Sequence, residues 1–266
     1  MKYDAADIVV FAPHPDDEVI GAGGVIQQAL AAGRRVRVVF TTSGDGYPRA
    51  AATLLGKRLE DVGPADFIRL GATRRAEAVA AGAELGLREE DLVNLGFPDG
   101  AFDQVVRADG GGPVRAPLTQ LTESVTTGAP FTHAAALRAF SDALDGSRPS
   151  EVYVTDGADE HADHSATHRV VVEAMRETGS DARLYTFMVH AGHDRWPDPG
   201  PRYETKVIDG VVAPRGVEWP PPIRLPITPE EAEVKRRALM KHASQWRLDH
   251  AYLGAFVKSE EVFWPG

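Results

Sequence analysis

The chain has no cysteine among its 266 residues. That absence excludes disulfides, thiolate zinc sites and cysteine nucleophiles, so any metal has to be held by His, Asp or Glu. No run approaches the ~18 apolar residues of a membrane span, and Met1-Lys2-Tyr3-Asp4 opens no apolar leader. A cytoplasmic protein without a membrane anchor is expected. Positive charge is scarce as well. The 29 Lys and Arg face 39 Asp and Glu, a formal net charge of −10, which argues against a nucleic-acid partner. What the chain does have is apolar material, 43% of its residues, enough for one sizeable core.

Apolar runs alternate with stretches of helical spacing. Residues 7–12, 36–41, 92–95, 151–155 and 183–189 read as strands. Helices are expected over Val25 to Ala32, Arg74 to Leu85, His133 to Leu144 and Ser165 to Met175. A last helix should open at Thr228, with Pro229 at its first position and Glu231 closing a capping box, and run to about His242. Such alternation predicts an α/β fold, a mostly parallel sheet with helices on both faces. Residues 1–266 are expected to form a single domain. Within it, 101–131 break the pattern with Gly110-Gly111-Gly112-Pro113 and a polar stretch, and read as an inserted loop, either a lid or decoration. Residues 194–226 are proline-rich and read as irregular or short-stranded.

Two clusters carry chemistry. The first is His14-Pro15-Asp16-Asp17-Glu18, straight after the first apolar strand. A helix cap needs one acidic residue, and packing three side by side raises the free energy of each. A divalent metal accounts for the crowding. The second cluster is Asp159-Glu160-His161-Ala162-Asp163-His164, at the end of another strand, with His168 beyond. Ligands of open α/β sheets bind beyond the carboxyl ends of the strands, so the clusters should meet, although about 150 residues separate them. Catalytic zinc takes three protein ligands and keeps one position open. His14, one carboxylate of the first cluster and one histidine of the second would supply them. The remaining carboxylate could then act as base, and the spare histidine as oxyanion stabiliser or acid.

Other features are weaker. Gly21-Ala22-Gly23-Gly24 matches no nucleotide-binding pattern and should serve close packing where strand turns into helix. His190 and His193 follow a strand and could line the cleft, with His193 better read as core or surface. His168 reads as a supporting or surface residue. His133, His242 and His250 show no metal spacing.

The motifs resemble those of the PIG-L / LmbE-like family of zinc-dependent N-acetylglucosaminyl deacetylases. Pro13-His14-Pro15-Asp16-Asp17-Glu18 is similar to its A-H-P-D-D-E, and His161-Ala162-Asp163-His164 to its H-P-D-H. Weaker similarities are Arg74-Arg75-Ala76-Glu77, Leu95-Gly96-Phe97-Pro98-Asp99-Gly100 and Lys241-His242-Ala243-Ser244-Gln245. The resemblance implies a Rossmann-like fold and one catalytic Zn2+, with Fe2+ serving in some members. It implies His14, Asp17 and His164 as metal ligands, Asp16 as general base and His161 as oxyanion stabiliser or acid. Arg74 would contact substrate, and Asp163 would hold a histidine in its tautomer. The implied reaction removes the N-acetyl group of a small N-acetylglucosamine-type conjugate, giving a free amine and acetate. Two other readings stand beside it: an amidase acting on another small N-acyl group, and a metal- or sugar-binding protein without catalysis. Retention of Asp16 counts against the last, because a binder needs no base. The sequence permits a homo-oligomer without requiring one.

Overall fold

The structure, a computed structural model, describes residues 3–108, 110, 112–192, 196–197, 205–209 and 213–266. Its centre is strand β1 (Ile8–Ala12), buried along its whole length. Side chains of a strand alternate between faces. Ile8, Val10 and Ala12 enter one apolar layer, while Val9 and Phe11 enter the other. Burial on both faces is why this strand reads as an unbroken apolar run.

The sheet has seven strands in the order β3-β2-β1-β4-β5-β7-β6. Strands β2 (Val36–Thr42), β3 (Leu92–Phe97), β4 (Glu151–Thr155) and β5 (Arg183–Phe187) join β1 in parallel. Strands β6 (Ile223–Pro226) and β7 (Glu260–Pro265) close one edge in antiparallel fashion. Helices α1 (Asp17–Ala31), α3 (Pro64–Leu85), α7 (Pro229–Lys241) and α8 (Ala243–Ala255) cover one face. Helices α4 (Phe102–Arg107), α5 (His133–Ser147) and α6 (Ala162–Thr178) cover the other. The short helix α2 (Pro48–Leu55) packs beside α3 and α8. None of the described helices is long and apolar enough to cross a membrane.

From β1 the chain builds outward through β2 and β3, then returns to place β4 on the other side of β1. That reversal opens a crevice beyond the carboxyl ends of β1 and β4, the usual ligand position in such sheets. Both charged clusters lie there.

Several expectations change. The first helix starts at Asp17, not Val25, so Gly21 to Gly24 lie inside a helix and not at its entrance. They still serve close packing. A Cβ on Gly21 would fall 2.0 Å from the Phe187 ring, and one on Gly24 2.1 Å from Ile227. The helix expected from Arg74 begins ten residues earlier, with Pro64 at its first position. The capping box at Thr228 forms, but α8 and β7 follow the helix that was read as the last. The described residues of 101–131 form α4 and otherwise irregular chain, and Ala116 and Phe131 enter the layer behind the sheet. His193 and much of the proline-rich stretch lie outside the described residues.

Candidate metal centre and cleft

The chain turns sharply between β1 and α1. The His14 N–H donates to Asp17 Oδ2 at 2.8 Å, which orients that carboxylate before any ligand arrives. The turn forces Asp16 to φ 139°, a region that costs a residue with a Cβ about 1–3 kcal/mol. Asp17 and Glu18 then occupy the first turn of α1, where negative charge is favoured.

The β4–α6 junction supplies the opposite wall. His161 caps α6, its Nδ1 accepting from the Asp163 N–H at 3.3 Å. His164 sits in the first turn, fully buried. Asp159 accepts from the N–H groups of His161, Val189 and His190 at 3.0, 2.9 and 3.0 Å. It faces His164 Nδ1 at 3.3 Å. Burial opposes its charge, but the nearby His164 and these donors leave its pKa lowered.

The two clusters meet. His14 Nδ1 lies 3.1 Å from His164 Nε2, and Asp17 Oδ2 lies 3.3 and 3.2 Å from those atoms. A tetrahedral ion with bonds of about 2.0–2.2 Å separates its ligand atoms by roughly 3.3–3.6 Å. The observed triangle, 3.1–3.3 Å on its edges, is close to that spacing, and two imidazoles and a carboxylate are a donor set suited to zinc. The outer nitrogens are placed as a metal site requires. His14 Nε2 faces Asp99 at 3.1 Å and Asp163 at 3.5 Å, and His164 Nδ1 faces Asp159. Carboxylates in that position fix the tautomer and orientation of a ligating histidine. A second grouping is also close, because a ring nitrogen of His161 lies within 4.8 Å of those of His14 and His164. His161 Nδ1 is engaged as the helix cap and leaves only Nε2 for an ion, whereas Asp17 Oδ2 already lies against both other ring nitrogens, which favours Asp17 as the third ligand.

Charge in this site is unbalanced toward acid. Burial opposes protonation of His14, but Asp99, Asp163 and Asp17 outweigh it and raise its pKa well above the ordinary value. His164 likewise rises to about 9 against burial, through Asp17 and Asp159. The same carboxylates would favour a divalent cation in place of those protons.

Asp16 stands beside the triangle. Its Oδ2 accepts from Arg74 Nη2 at 3.0 Å, and Arg74 also donates to Pro15 O and Gly44 O at 2.7 and 3.0 Å. Gly44, at φ 67°, makes room, since a Cβ there would fall 2.6 Å from the guanidinium. Burial raises the Asp16 pKa to about 6, against the pull of Arg74. Burial, then the cationic neighbours His14 and His164, push His161 down to about 4.

His14, Asp16, Asp17, Arg74, Asp99 and His161 line a cleft of about 460 Å3, inside the range of roughly 300–1,000 Å3 usual for small-molecule sites. Tyr47, Gln245, Asp249, Tyr252 and Leu253 line it as well. His190 lines the cleft too, stacked on Tyr252. Asp163 stands beside His14 as expected, 3.5 Å from its Nε2, and its carboxylate also accepts the N–H groups of Gly100 and Asp103, at 2.6 and 3.3 Å. Asp99 and Asp159 are the nearer partners of the two histidines, and the sequence reading assigned neither that place. Proximity of Asp159 to His161 was the one available signal. Asp99, in the turn after β3, is 85 residues from His14 in sequence; it stands in one of the weaker motifs, but only the sheet order brings it to His14. No described residue of 101–131 lines the cleft.

Residues 9–175 match the family model described as PIG-L: GlcNAc-PI de-N-acetylase. A 1D-myo-inositol 2-acetamido-2-deoxy-alpha-D-glucopyranoside deacetylase of Nakamurella multipartita is 30% identical over 183 residues, covering 64% of this chain. The chain matches 55% of that relative's length. Among solved structures, the A40926 pseudoaglycone deacetylase Dbv21 is 20% identical with a TM-score of 0.63, covering 98% of this chain and 97% of its own. GalB, the 4-carboxy-2-hydroxymuconate hydratase of Pseudomonas putida KT2440, is also 20% identical, with a TM-score of 0.58, covering 94% and 82%. One fold thus carries a deacetylase and a hydratase, so the reaction has to be argued from the site.

Proposed function

The chain belongs to the PIG-L family, and we propose that it is a metal-dependent hydrolase removing the acetyl group from an N-acetylglucosamine-type conjugate. The observation that carries this reading is the ligand triangle of His14, Asp17 and His164 with a separate carboxylate, Asp16, beside it. A binding protein needs the triangle but has no use for the fourth group.

His14 Nδ1, Asp17 Oδ2 and His164 Nε2 would hold the ion, read as Zn2+, with Fe2+ able to take its place. The bound ion supplies Lewis acidity toward the acetamide oxygen and makes a neighbouring water more acidic. Asp16 takes the proton of the attacking water. Its pKa of about 6 keeps it ionised at neutral pH yet basic enough to accept. His161 is neutral there. Because its Nδ1 accepts from the backbone, its proton resides on Nε2, and a neutral Nε2–H is a donor suited to the developing oxyanion. This favours the oxyanion role over that of an acid protonated from the outset. Arg74, although buried, lines the cleft beside Asp16 and would contact substrate there. The conjugate would occupy the cleft, whose lining includes Ile20, Tyr47, Asp249 and Tyr252. We read 1–266 as one such domain, acting on a small amino-sugar conjugate in the cytoplasm.

The test is acetate release from a panel of N-acetylglucosaminides, with and without chelator and with defined metals added back. Release that a chelator abolishes and zinc restores supports the reading. Absence of release from any N-acyl sugar, with hydration of an unsaturated acid instead, would replace it with GalB-like chemistry.

A further inference from the structure

Asp16 is the cleft residue whose backbone lies where side chains rarely go, at φ 139°. Its N–H donates to Glu18 Oε2 at 2.9 Å. The other Glu18 oxygen, Oε1, faces His242 Nε2 at 3.2 Å. Glu18 is 1% exposed and His242 0%, and neither lines the cleft. His242 stands where α7 ends and α8 begins, 224 residues from Glu18 in sequence. A buried carboxylate–imidazole pair is weak evidence for stability, since apolar residues of like volume do as well. Its geometry points elsewhere: it closes on the one strained backbone unit of the site.

We propose that Glu18 and His242 are positioning residues for Asp16. His242 fixes the Glu18 carboxylate, Glu18 fixes the Asp16 N–H, and the strained turn then holds the Asp16 side chain against Arg74 and over the cleft. Remove the acceptor and the Asp16 N–H loses its partner inside the protein, so the turn relaxes toward ordinary φ and the carboxylate withdraws. The inference rests on Asp16 being the base, as proposed above.

The experiment compares Glu18→Ala, Glu18→Gln and His242→Leu, each in wild-type and Asp16→Asn backgrounds, reading kcat, KM, zinc content and the crystal structure. By analogy with other supporting groups of metal sites, kcat should fall roughly 10–100-fold in Glu18→Ala and His242→Leu, with KM little changed and zinc retained. Glu18→Gln keeps an acceptor for the Asp16 N–H and should recover most of the loss. In the Asp16→Asn background Glu18→Ala should cost nothing further, because the group it positions is already gone. An equal loss in both backgrounds overturns the proposal, and so does loss of zinc in step with kcat, which would mean that the pair supports Asp17 instead. Unchanged kcat in both single variants overturns it as well. Should Glu18→Ala not fold, His242→Leu carries the same readouts. The crystal structure of the variant decides independently of activity: Asp16 leaving positive φ is the expected result, and Asp16 remaining there refutes positioning. That readout stands even if the wild type releases no acetate, an outcome that would sink the function and leave the positioning claim to the coordinates.

Discussion

At the switch point of the sheet, Asp16, Asp17, Asp99 and Asp159 crowd His14, His161 and His164. Behind helix α1, Lys235 and Glu261 meet one to one at 2.7 Å. Both regions bury charge. In the second, every charge has its opposite and the backbone takes the remainder: Lys235 also donates to Ile20 O, and Glu261 accepts from the N–H of Gly24. The pair thus meets α1 at an acceptor and a donor one helical turn apart, and the absence of a Cβ at Gly24 lets Glu261 of β7 approach this closely. In the first region the charges do not balance, and the groups titrate far apart: His161 near 4, Asp16 near 6, His164 near 9. A matched pair fastens a scaffold, whereas an unmatched cluster lining a cleft is the pattern expected of a functional site.

The comparison can be broken at either end. Asp16→Asn removes the proposed base without removing a ligand, and should lower kcat by about 10²–10⁴ while melting near the wild type. Full acetate release by that variant would remove Asp16 from the mechanism. Lys235→Met leaves Glu261 buried without its cation and should cost about 3–5 kcal/mol in urea unfolding, with activity per folded molecule kept. Lys235→Met with Glu261→Gln should cost less than Lys235→Met alone, since the orphaned charge is then gone; a larger loss would mean that packing, not charge, dominates there.

Asp159→Asn tests the support of His164 and should weaken zinc binding or activity roughly 10–100-fold, read by competition with a chelator. The smallest effect is in the pH profile. Asp16 acts only when ionised, so kcat/KM should fall as pH drops through about 6. Arg74 favours the ionised form, so Arg74→Gln should move that acid limb upward, by about one unit. A limb that stays in place would show that Arg74 does not set the charge of Asp16.

The two regions also differ in how plainly the chain displays them. Strands β1, β2 and β4 are buried on both faces, which leaves unbroken apolar runs, and the two clusters at their ends show as crowded His and Asp. Strand β7 opens with Glu260-Glu261 and resembles no buried strand. Those glutamates are buried because Arg224 and Lys235, distant in sequence, come to meet them. Helix α8 is broken by the non-helical Asp249, which interrupts its period. His242 carries no metal spacing, and its partner Glu18 lies at the other end of the chain. Residues of the site that act through local spacing were legible. Asp99, Asp159 and Gln245 stand inside quoted motifs, but their places beside the site come from the sheet order and the packing of α8, and Tyr252 has no local pattern at all. The α1 boundary was misplaced because Asp17 and Glu18 look like loop residues until their burial by histidines is known.

The central claim is that His14, Asp17 and His164, and not His161, hold the ion. Zinc content of purified His164→Ala and His161→Ala, measured side by side with the wild type, tests it most directly. The account predicts about one zinc per chain in the wild type and in His161→Ala, and almost none in His164→Ala. Zinc retained by His164→Ala, or lost from His161→Ala, would contradict it.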